Sequence, residues 1–388
     1  MSPDHDPVII AGAARTPMGG FQGALAGASA TELGAAAIGA TLARGGADAG
    51  AVDQVFMGCV LPAGLGQAPA RQAAIGGGLP VTVGATMVNK VCGSGMMATM
   101  MAADSIRAGS AEIVVAGGME SMSNAPYLLA KARRGYRMGH GQLIDHMFFD
   151  ALEDAYDKGR SMGSFAEDTA SHYQFTRDDQ DAYALESLRR SSQAIATGAF
   201  GDETVAVGGV AVDEQPSLAR PDKIPQLRPA FRDGGTVTAA SSASISDGAA
   251  AMTLARLSVA ESRGLAPLAV LRGSASYAGA PALFTTAPVF AIRRLLEQVG
   301  WAVPDVDLFE INEAFAVVPM AAMRELDIPH DRLNVHGGAC ALGHPLGCSG
   351  ARVTVTLIHA LRQTGGRRGV AAICIGGGEA TAVAVELI

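Results

Sequence analysis

The chain has 388 residues, a formal net charge of −8, 49% hydrophobic residues and only 17% charged ones. Such a length needs more than one core, and this balance excludes both a disordered chain and a basic nucleic-acid surface. No apolar run reaches the ~18 residues of a membrane span. The acidic start, Met1-Ser-Pro-Asp-His-Asp, lacks the basic and apolar parts of a signal peptide. The expectation is a cytoplasmic protein with no membrane or nucleic-acid partner and, with so few charges, a homo-oligomer. Along the chain, Val8-Ile9-Ile10-Ala11-Gly12 reads as a strand, Thr31 to Arg44 as a helix, and Val52 to Gly58 as a second strand. Val83 to Val88 leads into Asn89-Lys90-Val91-Cys92-Gly93-Ser94-Gly95, and the run after it is apolar nearly all round until Asp104 and Arg107. Such a helix belongs in a core. Cys92 then sits at a helix N-terminus, where free amides and the dipole favour a thiolate. On these residues alone, a nucleophile and an inert buried cysteine remain equally open. Strand Ile113 to Ala116 follows and ends at Gly117-Gly118.

Residues 123–246 differ in character. Charges, aromatics and the prolines 216, 221, 225 and 229 cluster there, around one amphipathic helix from Arg177 to Gln193. Beyond Asp247-Gly248-Ala249-Ala250 the α/β pattern resumes and repeats the first half. Val270 to Gly273 answers the first strand, helix Val289 to Val299 the first helix, and Val306 to Glu310 the second strand. Gly347-Cys348-Ser349-Gly350 before helix Ala351 to Arg362 answers the Cys92 turn. Strand Ala371 to Cys374, ending in Gly376-Gly377-Gly378, answers the strand at Ile113. Five features in one order indicate duplication. The predicted organisation is one half from 1–122 with 247–269, an inserted loop domain at 123–246, and a second half at 270–388.

Five cysteines, an odd number without a secretion signal, argue against a disulfide framework. His336, Cys340, His344 and Cys348 recur every four residues, but glycines and Pro345 between them forbid one ligand-bearing helix. No metal is expected. Three turns in the second half carry reactive groups: Glu310 to Phe315, Asn334 to Pro345, and Cys374 to Gly378. Taken singly, each also suits an ordinary turn former, loop histidine or strand cysteine.

Together the motifs resemble the thiolases, the acetyl-CoA acetyltransferases. That family shows N-x-x-C-G-S-G, N-E-A-F, G-G-x-x-x-G-H-P and C-x-G-G-G turns, and all four stand here in that order. The resemblance spans essentially the whole chain. It implies an α/β, thiolase-like fold of duplicated halves packed in layers. It implies Claisen condensation of two acetyl-CoA to acetoacetyl-CoA and CoA, and the reverse thiolysis, with CoA thioesters as substrates and no cofactor. Cys92 would carry the acyl group, His344 take its proton, and Cys374 serve as the α-carbon base. His344 with a water held by Asn312 would form one oxyanion site, and the amides of Cys92 and Gly376 the other. Met162, Phe284 and Phe315 would line the acyl pocket, with Phe284 where biosynthetic members carry methionine. Arg220, Lys223, Arg228, Ser242, Ala243 and Ser244 would meet CoA. A loop like Met138 to Asp145 makes tetramers in biosynthetic relatives. The family's usual ending C-I-G-G-G-M-G is replaced here by Glu379-Ala380.

Alternatives are a degradative 3-ketoacyl-CoA thiolase of broader chain length and a non-catalytic acyl-CoA carrier on the same fold. A ketoacyl synthase would lack the C-terminal cysteine. A dinucleotide-binding dehydrogenase would need a G-x-G-x-x-G opening a helix, which is absent.

Overall fold

The computed structural model describes residues 6–388; residues 1–5, on which most of the leader argument rests, lie outside it. A ten-stranded sheet runs through the molecule. Its long strands are β1 (Val8–Arg15), β2 (Gln54–Gly58), β3 (Gly84–Val88), β4 (Ile113–Ser121), β5 (Ser246–Arg256), β6 (Ala269–Ala278), β7 (Leu308–Ile311), β8 (Arg368–Ile375) and β9 (Glu379–Leu387). Their order is β7-β8-β9-β6-β1-β5-β4-β2-β3. The two halves of that order mirror each other about the β1–β6 seam, where only Ile9 with Val270 and Ile10 with Ala269 pair. In each half the first strand lies next to the last, and β2 pairs in parallel with β4 as β7 does with β8. The counterpart of β3 has shrunk to a single parallel bridge between Phe309 and Leu333.

Four helices build the layers: α1 (Ala30–Gly45), α2 (Ser94–Arg107), α3 (Ala287–Val299) and α4 (Leu346–Thr364). Helix α1 starts in a capping box, Ser29 accepting from the Glu32 amide, and stops at left-handed Gly46. One apolar core gathers Met96, Ile106, Val353 and Leu357 from α2 and α4 against Ile10, Val114 and Leu254 of one half-sheet and Ile373 and Val383 of the other. Thus α2 and α4 form a central layer covered by both half-sheets. Separate cores pack α1 on the outside of the first half-sheet and α3 on the outside of the second. Strands covered on both faces read as continuous apolar runs, as β1 does with all eight residues buried.

Two boundaries differ from the sequence reading, and a strand went unread. Strand β4 does not end at Gly117-Gly118 but runs on to Ser121, because the glycines let α4 come close: a Cβ on Gly118 would overlap the Gly347 carbonyl. Helix α4 starts at Leu346, after Pro345 as N-cap, and so takes in Gly347 and Cys348. Strand β5 is Ala-rich with Thr253 its one β-branched residue, yet it lies between β1 and β4.

Candidate active site

The Cys92 turn is held by its own hydrogen bonds. The Val91 amide donates to Asn89 Oδ1 at 3.0 Å, the Lys90 amide to Ser94 Oγ at 2.8 Å, and Ser94 Oγ to the Val91 carbonyl at 2.6 Å. These bonds hold Val91 at φ +46°, left-handed backbone that a β-branched residue rarely adopts and that concentrates at functional sites. Gly93 caps α2, and Cys92 precedes it, half-buried.

The amides of Gly376 and of Cys92 itself face the Cys92 sulfur, but burial outweighs them and pushes its pKa up to about 11. This corrects the expectation of a resting thiolate: the packing that brings the two amides to the sulfur also removes it from water, and desolvation disfavours the anion. Cys374, wholly buried near the end of β8, is held well above the usual thiol range by burial and then by the neighbouring Cys92 charge. The two sulfurs therefore share one environment.

His344 lies between Gly343 and the start of α4. Ser349 Oγ, 2.6 Å from His344 Nδ1, also donates to the Pro345 carbonyl at 3.0 Å. With the one hydroxyl proton committed, Nδ1 must bring its own hydrogen, which leaves Nε2 as a bare acceptor. Nε2 is buried with no protein partner. Burial first, then the charge of Arg352, lowers the His344 pKa to about 3. The ring is neutral and oriented to accept a proton.

Asn312 closes β7, its amide donating to the Ala372 carbonyl of β8 at 3.0 Å. Its side chain is fully buried with neither Oδ1 nor Nδ2 paired inside the protein; such groups are rare unless a ligand or water uses them. The segment 238–246 stitches these turns together. The Ala243 amide bonds Ala314, the Ala316 amide bonds Ser241, and the His344 amide bonds Ser244 at 3.0 Å.

Met162 lies beside the glycine turn, its sulfur 3.2 Å from where a Cβ on Gly376 would stand. It packs in the same cluster as Phe284, Phe315 and Cys374. The Phe284 ring meets Phe315 edge-on at 6.4 Å and Phe165 at 6.1 Å. A cavity of about 350 Å³ lies alongside, lined by Arg220, Lys223, Ser242, Ser244 and Cys340 among others. Arg220 and Lys223 are exposed. Ala243 and the exposed Arg228 stand outside that lining.

Three residues passed unnoticed in the sequence. Ser349 orients His344. Glu120, fully buried, accepts from the amides of Val60 and Gly347 at 2.9 Å and of Leu61 at 3.1 Å, tying the turn after β2 to the start of α4. Glu313, fully buried beneath Asn312, accepts from Tyr183, Ser187, Asn334 and the Cys340 amide at 2.8–3.0 Å. Their motifs were visible as patterns, but nothing local marks a carboxylate that will bond amides hundreds of residues away. The four-residue stripe of His and Cys disperses: His336 bonds Gln363, His344 bonds Ser349, and Cys348 enters the core.

Like half-sheets that share a central helical layer, with a cysteine from one half neighbouring a cysteine from the other, define a duplicated α/β fold with a composite thiol site. Residues 8–258 match the thiolase N-terminal domain and residues 265–387 the thiolase C-terminal domain, and the chain belongs to the thiolase family. It is 50% identical to acetyl-CoA acetyltransferase 2 of Arabidopsis thaliana over 98% of this chain and 97% of that one. It is 47% identical to the acetyl-CoA acetyltransferase of Pseudomonas aeruginosa, over 97% and 98%. A thiolase of Ascaris suum solved in complex with coenzyme A superposes with a TM-score of 0.94 at 42% identity, covering 98% of this chain and all of that one.

Proposed function

We propose that the chain is an acetyl-CoA C-acetyltransferase, condensing two acetyl-CoA to acetoacetyl-CoA and CoA and running the reverse thiolysis. The observation that carries this reading is the convergence of two thiols, a half-buried Cys92 and a buried Cys374, with the Gly376 amide beside them; a neutral, buried His344 whose Nε2 has no protein partner supports it. In the thiolysis direction, Cys92 gives its proton to His344 Nε2 and attacks the 3-keto carbon. The C2–C3 bond breaks, and the acetyl-CoA carbanion takes the Cys374 proton. An incoming CoA thiol returns a proton to Cys374 and attacks the acyl-Cys92 thioester. The Cys92 thiolate leaves and recovers its proton from His344. Condensation is the reverse, with Cys374 as base. Amides of Cys92 and Gly376 suit one developing oxyanion, and His344 Nε2, once it holds the Cys92 proton, with the unpaired Asn312 side-chain amide the other.

The remaining assignments belong to the same reading. Met162, Phe284 and Phe315 bound the acyl group, and Arg220, Lys223, Ser242 and Ser244 receive CoA, where the exposed cations suit its phosphates. No cofactor or metal is needed. Among the described residues no helix is long and apolar enough to cross a membrane; all five cysteines are free, which supports placing the protein in the reducing cytoplasm. The exposed hairpin around Met138 supports a homotetramer.

The test is CoA-dependent cleavage of acetoacetyl-CoA beside longer 3-oxoacyl-CoAs. Cleavage of the four-carbon substrate in preference to longer ones is expected. Preference for long chains would favour the degradative type, and no cleavage at all would overturn the assignment.

A further inference from the structure

The two amides that face the Cys92 sulfur come from opposite halves of the molecule. One belongs to the turn 89–94 after β3, the other to the turn 376–378 between β8 and β9. Among the described residues no backbone–backbone hydrogen bond joins these turns. Two contacts do. The Ile375 side chain fills the space above Gly93, where a Cβ would overlap it. Lys90 Nζ, two residues before the nucleophile, is ion-paired with Glu379, three residues after Gly376. Glu379 opens β9 and pairs there with Ala278, so its backbone is fixed. Lys90 is fixed by its amide bond to Ser94 Oγ and by its carbonyl, which accepts from Gly93 at 3.0 Å. The pair therefore runs from one anchored turn to the other.

We propose that the Lys90–Glu379 ion pair is a positioning clamp that sets the spacing of the Cys92 and Gly376 amides across the seam between the halves, an inference that rests on the acyl-transfer reading above. Glu379 stands where the family's usual ending has methionine. Both side chains keep solvent access, 22% for Lys90 and 35% for Glu379. An exposed pair of that kind adds little stability, so its loss leaves the fold intact. Donor placement is far more sensitive, because misplacing a group by about 1 Å costs on the order of 10²-fold in rate, and these donors act only where oxyanion charge develops.

The experiment compares wild type with Lys90→Met, Glu379→Gln and the charge-exchanged Lys90→Glu/Glu379→Lys protein in acetoacetyl-CoA thiolysis. Each single variant should lower kcat about tenfold with KM within about twofold, as expected for an interaction used only in the transition state. The melting temperature should hardly move. The exchanged pair should recover kcat to within about threefold of wild type, which a merely structural role or simple loss of a charge would not produce. Single variants with unchanged kcat, a rise in KM alone, or an exchanged protein as poor as the singles would overturn the clamp. Acetyl labelling of wild-type Cys92 is measured alongside. Its absence overturns the acyl-transfer reading and the clamp with it, whereas labelled wild type with unaffected single variants overturns the clamp alone.

Discussion

In the proposed reaction His344 is the base for Cys92, and burial with the charge of Arg352 keeps its ring neutral beforehand. Its pKa is lowered from 6.5 to about 3, so the native ring takes no proton across the range where a free histidine does. Acyl transfer should therefore show no loss of rate through about pH 6.5, the ordinary histidine value. Stability behaves differently. The unfolded chain binds a proton near 6.5 while the native ring does not until about 3, so stability is lost as pH falls through that window. The melting temperature of wild type should fall more steeply between about pH 7 and pH 5 than that of His344→Asn; parallel curves would contradict the burial of a neutral ring. Phe284 makes a second claim at this scale. Its ring is wedged between Phe165 and Phe315 and cannot yield as a thioether chain would. Phe284→Met should raise activity on 2-methylacetoacetyl-CoA relative to acetoacetyl-CoA by roughly tenfold, the low end of what one methyl discriminates in an apolar pocket. An unchanged ratio would remove Phe284 from the wall. Cys92, His344 and Cys374 stood out in the sequence because each sits in a short glycine-bearing motif, and Asn312 because it opens Asn-Glu-Ala-Phe at a strand end. The protonation state of Cys92 was not, since it depends on what covers the helix end. Ser349 was passed over because a serine one turn into a helix has no distinguishing local signal.

Elements here are placed by glycine as much as by apolar residues. The central layer is tight: a Cβ on Gly58 would stand 2.6 Å from the Gly95 nitrogen, and one on Gly347 2.8 Å from the Met119 carbonyl oxygen. Gly118→Ala, which would overlap the Gly347 carbonyl, should cost ~3 kcal/mol or more, since backbone of two buried elements has to move apart. Gly27→Ala meets open space and should change stability by less than about 0.5 kcal/mol. Denaturant midpoints of the two variants check the contrast, and equal midpoints would contradict the packing. This use of glycine is also why the end of β4 was misread. In the sequence Gly117-Gly118 looks like a turn, whereas the structure uses the missing side chains to bring α4 onto the strand. The β5 run was hidden for a related reason, because its small alanines fit the space between β1 and β4 but carry weak strand preference.

At the scale of the molecule, duplication was readable because matched strands and helices recur in one order. What could not be read was the loss of the counterpart of β3 to a single bridge at Leu333, or the long-range ion pairs that fasten the inserted segment to the first half. Arg15 bonds Glu203 at 2.5 Å and Asp213 at 2.6 Å, all three buried, and pairs that far apart in the chain leave no trace in spacing. Assembly extends the same logic outward. The hairpin of Tyr127–Leu129 with Leu143–Asp145 leaves Tyr127, Met138 and Leu143 65%, 97% and 69% exposed, an apolar projection that a lone chain would not favour. Light scattering should give four times the 39.4 kDa chain mass, and Met138→Ser with Leu143→Ser should lower it to two chains. A wild-type mass of one or two chains would contradict the tetramer. The central claim is that each half supplies a different chemical step, Cys92 the acyl transfer and Cys374 the carbon–carbon step. It is tested most directly in Cys374→Ser by rapid-quench labelling with acetyl-CoA beside steady-state acetoacetyl-CoA formation. A CoA thiolate leaves with little acid help, but an α-carbon proton needs a true base, and a serine hydroxyl is a far weaker acid than a thiol. Acetyl-Cys92 should still form, while condensation falls by about 10²–10⁴-fold, the usual worth of general acid–base catalysis. Equal loss of both steps, or loss of neither, would contradict the division of labour between the two cysteines.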